Sequence, residues 1–331
     1  MMEMILHALH LLPPETAHKA TILALKCGLG STAPPDDPSL AVTLFGKRFS
    51  NPIGLAAGAE KKAEALKGWT KMGFGFVEAG TVTLYPREGN PTPRVWRLGD
   101  GGSLINWMGL PGDGLAPFVE NLRAFSETPE RERLILGVSI GSPEGNLDDF
   151  KTVAEACAPL ADYLTLNASC PNVAHEAGHA IEAIAKQITA VCEAAAPCPV
   201  LLKLGPTNDG AVLTEMVEAA KAAGAVGIVA TNTVPHDKKH LLRADTKWPE
   251  HGGKPVGGYS GPGLLETTCW MVAEIRRILG PDAPIMGCGG IQSGADALRV
   301  LKAGANVVQL YTGLTYQGPG LLDEIKRCLR N

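Results

Sequence analysis

The chain has 331 residues, a formal net charge of −4, and 45% hydrophobic against 19% charged residues. That length can bury a large core, and the balance is ordinary for a globular protein. A slightly acidic chain with 5% aromatics offers neither a basic stripe nor a base-stacking platform, so no nucleic-acid partner is expected.

The start, Met1-Met2-Glu3, lacks the basic region of a signal peptide. No apolar run approaches the ~20 residues of a membrane span. The eight cysteines form no C-x-x-C pair and lie mostly in apolar stretches, which predicts reduced thiols in a cytoplasmic protein and no metal site.

In chain order, Met4-Ile5-Leu6, Leu9 and Leu11-Leu12 make one short apolar helix. Pro13-Pro14-Glu15 ends it and opens a second, with Pro14 at a first helical position and Glu15 at the positive helix end. That helix runs out at Gly28, and Ala33 to Pro38 reads as a linker. Residues 1–38 are therefore a helical cap and linker, and 39–331 the main domain. The cap either packs on that domain or rests its apolar side on a membrane, although lysine and arginine are sparse in it.

Beyond the linker, short apolar runs alternate with helical patterns. The runs are Ile53 to Ala57, Phe76 to Ala79, Leu134 to Ser139, Tyr163 to Leu166, Val200 to Leu204, Gly227 to Ala230, Pro284 to Gly287 and Val307 to Tyr311. The helices are predicted over Ala63 to Met72, Leu115 to Phe125, Leu147 to Cys157, Ile181 to Ala195, Ala211 to Ala222, Leu264 to Leu279, Ala295 to Ala303 and Leu321 to Leu329. The runs do not alternate internally, as befits strands buried on both faces. This pattern predicts an α/β fold, a (β/α)8 TIM barrel with a short N-terminal helical extension. A doubly wound open sheet is the alternative.

Barrels keep their chemistry at the C-terminal strand ends. Here those ends are Ala57 to Lys61, Gly80-Thr81, Ser139, Asn167 to Asn172, Lys203, Thr231 to Thr233, Gly287 to Gly290 and Tyr311 to Gly313. Gly289-Gly290 and Thr312-Gly313 follow the seventh and eighth strands, where barrels hold a phosphate on backbone N–H groups. Lys203 sits in an apolar strand and needs an anion or acceptor. Lys61 is a candidate by its strand-end position. Cys170 stands between Asn167 and Asn172 with serine and proline beside it, surroundings unlike a core, so it is a candidate base. His175-Glu176-Ala177-Gly178-His179 fits the zinc motif H-E-x-x-H, but Gly178 interrupts it, Pro171 closely precedes it and no third ligand is evident, so zinc is rejected.

These stretches resemble the dihydroorotate dehydrogenases. Asn51 to Gly58, Gly73 to Thr83, Gly89 to Arg94, Ile105 to Leu110, Asn167 to Asn172, Ala230 to Thr233, Gly257 to Gly261 and Val308 to Gly313 are close to that family's signatures and in its order. The resemblance implies an FMN-dependent barrel that oxidises dihydroorotate to orotate in pyrimidine synthesis. Carried over, Ala57, Gly58, Lys61, Thr81, Ser139, Asn167, Lys203, Thr231, Ser260, Gly261, Gly290, Tyr311 and Thr312 would hold FMN. Lys61, Asn106, Met108, Gly109, Leu110, Asn167, Asn172, Asn232 and Thr233 would surround the pyrimidine. Cys170 would remove the C5 proton while C6 delivers hydride to flavin N5.

The segment Leu12 to His18 and its helices resemble the quinone-reducing, membrane-associated class, peripheral on the cytoplasmic side of a bacterial inner membrane. That class implies a quinone partner and membrane contact through residues 1–30. Cys170 and Met108 to Pro111 resemble instead the soluble class that reduces fumarate or NAD. Ser139 stands where the quinone class has asparagine, and Thr43 where a quinone-site arginine is expected. Val173 to Ala177 replaces the usual loop after Asn172, which raises a second reading, a flavoenzyme acting on another dihydropyrimidine.

Overall fold

The computed structural model describes residues 2–99, 102–167, 177–242 and 246–330, with the side chains of residues 2, 3 and 177–179 aside. Eight parallel strands close into a barrel in sequence order. They are β1 (Ile53–Glu60), β2 (Phe76–Val82), β3 (Ile135–Ile140), β4 (Tyr163–Leu166), β5 (Val200–Leu204), β6 (Gly227–Ala230), β7 (Ile285–Cys288) and β8 (Val307–Leu310). Each matches a predicted run to within a few residues. The parallel ladder explains why the runs are continuously apolar: one face meets the helices and the other fills the barrel.

The outward face, including Leu55, Val77, Val138, Leu202 and Val308, joins the main core under the helices. The inward face carries Phe76, Tyr163, Leu201, Val229, Met286 and Val307. Polar side chains enter the interior in few places. Glu78 is fully buried and accepts from Tyr163 Oη (3.2 Å), Thr165 Oγ1 (2.9 Å) and Gln309 Nε2 (2.9 Å).

A short hairpin closes the N-terminal end. Val42–Leu44 pairs antiparallel with Lys47–Phe49. The turn puts Phe45 and Gly46 at φ 42° and 71°, the paired left-handed geometry of a tight hairpin. Phe49 meets Phe76 edge-on at 5.3 Å between ring centroids. Asp162, just before β4, fastens this plug. It accepts from Leu136 N (2.8 Å) and Lys47 Nζ (2.9 Å), and pairs with Arg131 Nη1 at 2.9 Å.

The opposite end carries a feature that strand periodicity did not reveal. Val234–Pro235, Gly258–Ser260, Leu104–Asn106 and Val95–Arg97 form a four-stranded antiparallel sheet in that spatial order. Its strands are two or three residues long, too short to show alternation. Ile105, Val234, Tyr259 and Leu264 make a small core of its own. A further hairpin, Glu250–His251 with Lys254–Pro255, is exposed.

The N-terminal helices are α1 (Met2–Leu11) and α2 (Pro14–Lys26). Arg97 of the four-stranded sheet donates to the carbonyls of Leu9 (3.2 Å), His10 (3.1 Å) and Leu12 (2.7 Å), which satisfies the open C-terminal end of α1. Helix α2 buries Ala17, Ile22 and Leu25, and Gly68 lies so close that a Cβ there would come within 2.7 Å of Leu25 Cβ. The helix predicted from Ala63 to Met72 is shorter, Leu66–Lys71, because Ala63 at φ 56° breaks the approach.

Burial by itself would raise the Asp162 carboxyl, but the Leu136 N–H, Lys47 and Arg131 outweigh it and hold it below its ordinary value. The stability it contributes is therefore present above the unfolded carboxylate value of about 4 and is lost as pH falls through the lower folded one. Asp162→Asn is expected to cost about 2 kcal/mol at neutral pH, with the difference from wild type shrinking in acid. Urea unfolding at the two pH values measures this.

Candidate active site

The site is built on the C-terminal ends of the barrel strands. At the end of β1 the pairing with β2 slips between Leu55 and Glu60. Gly58 takes φ 95° within this irregularity, and a Cβ there would sit 3.5 Å from the Tyr311 ring. The slip turns Glu60 into the wall. It is fully buried and accepts from Lys62 N (3.3 Å), Glu64 N (3.1 Å), Ala65 N (3.1 Å) and Trp69 Nε1 (3.0 Å). Burial raises its carboxyl, and these four donors offset only part of that.

With Glu60 anchored, Lys61 and Lys62 part company. Lys62 pairs outward with Asp113 at 2.7 Å. Lys61 turns the other way and is half-buried, its amine 3.3 Å from His18 Nε2 of α2. Its pKa falls to about 8, chiefly through burial and partly through Arg94, against the pull of Glu60 and Glu15. The same His18 nitrogen lies 2.8 Å from the Ala59 carbonyl. Burial, then the neighbouring Lys61, lowers the His18 pKa to about 4.

A line of polar side chains crosses the rim. Ser139 Oγ and Thr81 Oγ1 are 2.9 Å apart. Asn167 Nδ2 donates to Thr81 Oγ1 (3.1 Å), and Asn232 Nδ2 donates to Asn167 Oδ1 (3.2 Å). Asn232 Oδ1 accepts from Thr233 N (2.9 Å). Strands β2, β3, β4 and β6 thus fix one another's end groups. Thr231 is buried beside them and donates to the Leu204 carbonyl (3.1 Å).

Lys203 is 7% exposed within β5, opposite Val229 of β6. Its amine has no hydrogen-bond partner among the described residues. Buried Cys288 feels its charge: burial raises the thiol pKa and Lys203 opposes the rise. A mostly buried cation of this kind is stabilised when an anion joins it.

On the far side of the rim, Thr312 Oγ1 donates to Ser260 Oγ at 2.8 Å. Gly290 takes φ 79°, and a Cβ there would fall 2.4 Å from Leu265 N and Cα. Gly261 packs as tightly on Ser103. Thr312 and Ser260 thus hold each other on this side, and Gly290 and Gly261 stand where no larger residue fits.

The Asn106 to Leu110 segment leaves the four-stranded sheet at Asn106, which pairs with Gly258. Asn90 holds it, donating from its backbone to Met108 O (3.0 Å) and from Nδ2 to Trp107 O (3.0 Å). Gly109 and Leu110 both take positive φ, 70° and 55°. Asn90 and the wall-forming Glu60 were not singled out in the sequence. The Gly-Asn-Pro stretch and the charged residue before Lys61 were the available signals.

Cys170 and Asn172 lie outside the described residues, as do His175 and Glu176 and the His179 side chain. Among the described residues no cluster of three or more metal-type ligands occurs.

A closed parallel barrel of eight strands with flanking helices, polar groups bonded together at its C-terminal strand ends and a mostly buried lysine among them, defines the (β/α)8 class, whose members carry their sites on that face. Comparison with known proteins is specific. A family model described as dihydroorotate dehydrogenase matches residues 39–331. A protein of Polaromonas naphthalenivorans (strain CJ2) named dihydroorotate dehydrogenase (quinone) is 37% identical, over 97% of this chain and 95% of its own. One of the same name from Xanthobacter autotrophicus is 38% identical, over 95% of this chain and 89% of its own. The crystal structure of DHODH in complex with ferulenol from Eimeria tenella superposes with a TM-score of 0.85 at 30% identity, covering 96% of this chain and 90% of that one. The chain belongs to the dihydroorotate dehydrogenase family, which is flavin-dependent, and is an oxidoreductase.

Gly290→Ala would need either left-handed strain at the new residue or movement of the Leu265 backbone. That costs about 1–3 kcal/mol, equivalent to roughly fivefold to 150-fold if it falls on flavin affinity. The variant is expected to purify with reduced flavin content, read from visible absorbance per protein.

Proposed function

We propose that this chain oxidises dihydroorotate to orotate with FMN and passes the electrons to a quinone. The observation that carries the reading is Lys203, a mostly buried lysine at the end of β5 with no hydrogen-bond partner among the described residues, on the same barrel face as Gly290 and the bonded Thr312–Ser260 pair. FMN fits both features: its phosphate suits the backbone of Gly290 with Ser260, Gly261 and Thr312, and its electron-rich ring suits Lys203. When bound, it supplies the two-electron acceptor.

The protein's own groups do the rest. Ala57, Gly58, Thr81, Ser139, Thr231 and Tyr311 would line the cofactor. Lys61 meets the substrate carboxylate, and Asn106, Asn167, Asn172, Asn232 and Thr233 read the ring edge, where donors and acceptors alternate. Met108, Gly109 and Leu110 cover it. The bonds among Asn232, Asn167 and Thr81 fix which way the Asn167 and Asn232 amides face, so the ring is met by preset dipoles. Cys170 takes the proton from C5.

The relatives' names support quinone as the second substrate. So does the cap, which leaves Met4, Ile5, Leu11, Leu12, Leu23 and Leu29 exposed, an apolar surface suited to peripheral contact with a membrane through residues 1–30. No helix among the described residues is long and apolar enough to cross one. Cys170 favours a second reading, a soluble acceptor such as fumarate or NAD.

The purified protein is expected to be yellow and to bleach anaerobically with dihydroorotate. Cys170→Ala should keep the flavin and lose that bleaching by about a hundredfold or more. Quinone analogue, fumarate and NAD, offered separately to the bleached enzyme, identify the acceptor. Recolouring by fumarate or NAD alone overturns quinone, and bleaching by dihydrouracil alone overturns the substrate.

A further inference from the structure

We propose that His18 is the positioning residue for Lys61, and that its Nε2 serves Lys61 and the Ala59 carbonyl in alternation. The geometry forces the alternation. Nε2 lies 2.8 Å from Ala59 O and 3.3 Å from Lys61 Nζ. A neutral imidazole nitrogen either donates or accepts. With its proton on Nε2, His18 donates to Ala59 O, and Lys61 can approach only as a neutral amine. With the proton on Nδ1, the Nε2 lone pair accepts from a Lys61 ammonium. The doubly protonated ring would set an N–H against an ammonium, which agrees with the low His18 pKa of about 4.

Charging Lys61 is thus tied to a tautomer change in the cap. As Lys61 loses a proton, that proton passes from Nζ to Nε2, and Nδ1 releases its own to solvent. The charged groups facing the pair are Glu60 at the end of β1, Glu15 and Lys19 on α2, and Arg94 before the four-stranded sheet. Glu15 and Arg94 bind each other at 3.0 Å, one turn before His18, and fasten α2 to the loop that ends at Asn90 and Arg94. The helix that presents His18 is therefore held independently of Lys61, as a positioning element must be.

The inference rests on Lys61 meeting the substrate carboxylate, and the test separates the two. The holoenzyme is titrated with orotate from pH 6 to 10, following the flavin spectrum, while histidine-selective 15N NMR follows the His18 tautomer. In wild type, binding should fall away as Lys61 discharges near pH 8, and the ring should change from Nδ1–H to Nε2–H over the same interval. His18→Ala should weaken orotate binding about tenfold and move the alkaline limb upward as water reaches the amine. His18→Gln offers Lys61 an acceptor and Ala59 a donor at once, so it should recover most of the affinity with an upward-shifted limb. Unchanged affinity and limb in His18→Ala, or one tautomer throughout in wild type, would overturn the proposal. A tautomer change in a protein that ignores orotate upholds the pairing and overturns the substrate.

Discussion

Burial of both faces of the barrel strands is the constraint on which the rest depends. Inside a closed parallel ladder, water cannot satisfy a polar side chain, so each one must find a partner in the protein, reach the rim or await a ligand. Glu78 takes the first course with Tyr163, Thr165 and Gln309. Thr81, Asn167 and Asn232 take the second and bond to one another at the strand ends. Lys203 also lies at a strand end but has no hydrogen-bond partner among the described residues, which leaves it to the third course and makes it the most informative side chain of the set.

The two ends of the barrel answer different demands. The plug end is closed by aromatic contact and by Asp162, which binds two cations and a backbone N–H. The rim end is roofed by an antiparallel sheet of two- and three-residue strands, reinforced by side-chain bonds such as Ser103 to Tyr259 and Thr312 to Ser260. The plug is a single hairpin, whereas the rim also carries the strand-end loops on which a site can be built.

Much of this was legible in the residues. Continuous apolar runs located the eight strands because burial on both faces removes alternation. Strand-end position picked out Lys203, Thr81, Gly290 and Thr312 before any contact was known. The four-stranded sheet was not legible as strands, because Leu104–Asn106 and its neighbours hold too few residues to show a period; the resemblance touched only Ile105-Asn106 and Gly258 to Ser260 among them. Nor did periodicity expose the link from His18 to Lys61, which joins positions 43 residues apart and depends on the irregularity at the end of β1. Such links follow from tertiary packing, which local pattern does not encode.

Gly54 and Gly137 lie in adjacent layers of the barrel wall, each under an aromatic ring. A Cβ on Gly54 would lie 2.2 Å from Phe76 Cζ, and one on Gly137 would lie 2.2 Å from Tyr163 Cζ. The missing side chains are thus the room in which the two rings sit. Neither glycine can acquire a methyl group while its ring remains, and neither ring can shrink without leaving a void over bare backbone. Each pair therefore forms a single unit of inheritance: across diverging descendants of this chain, its two members can change together but hardly one at a time.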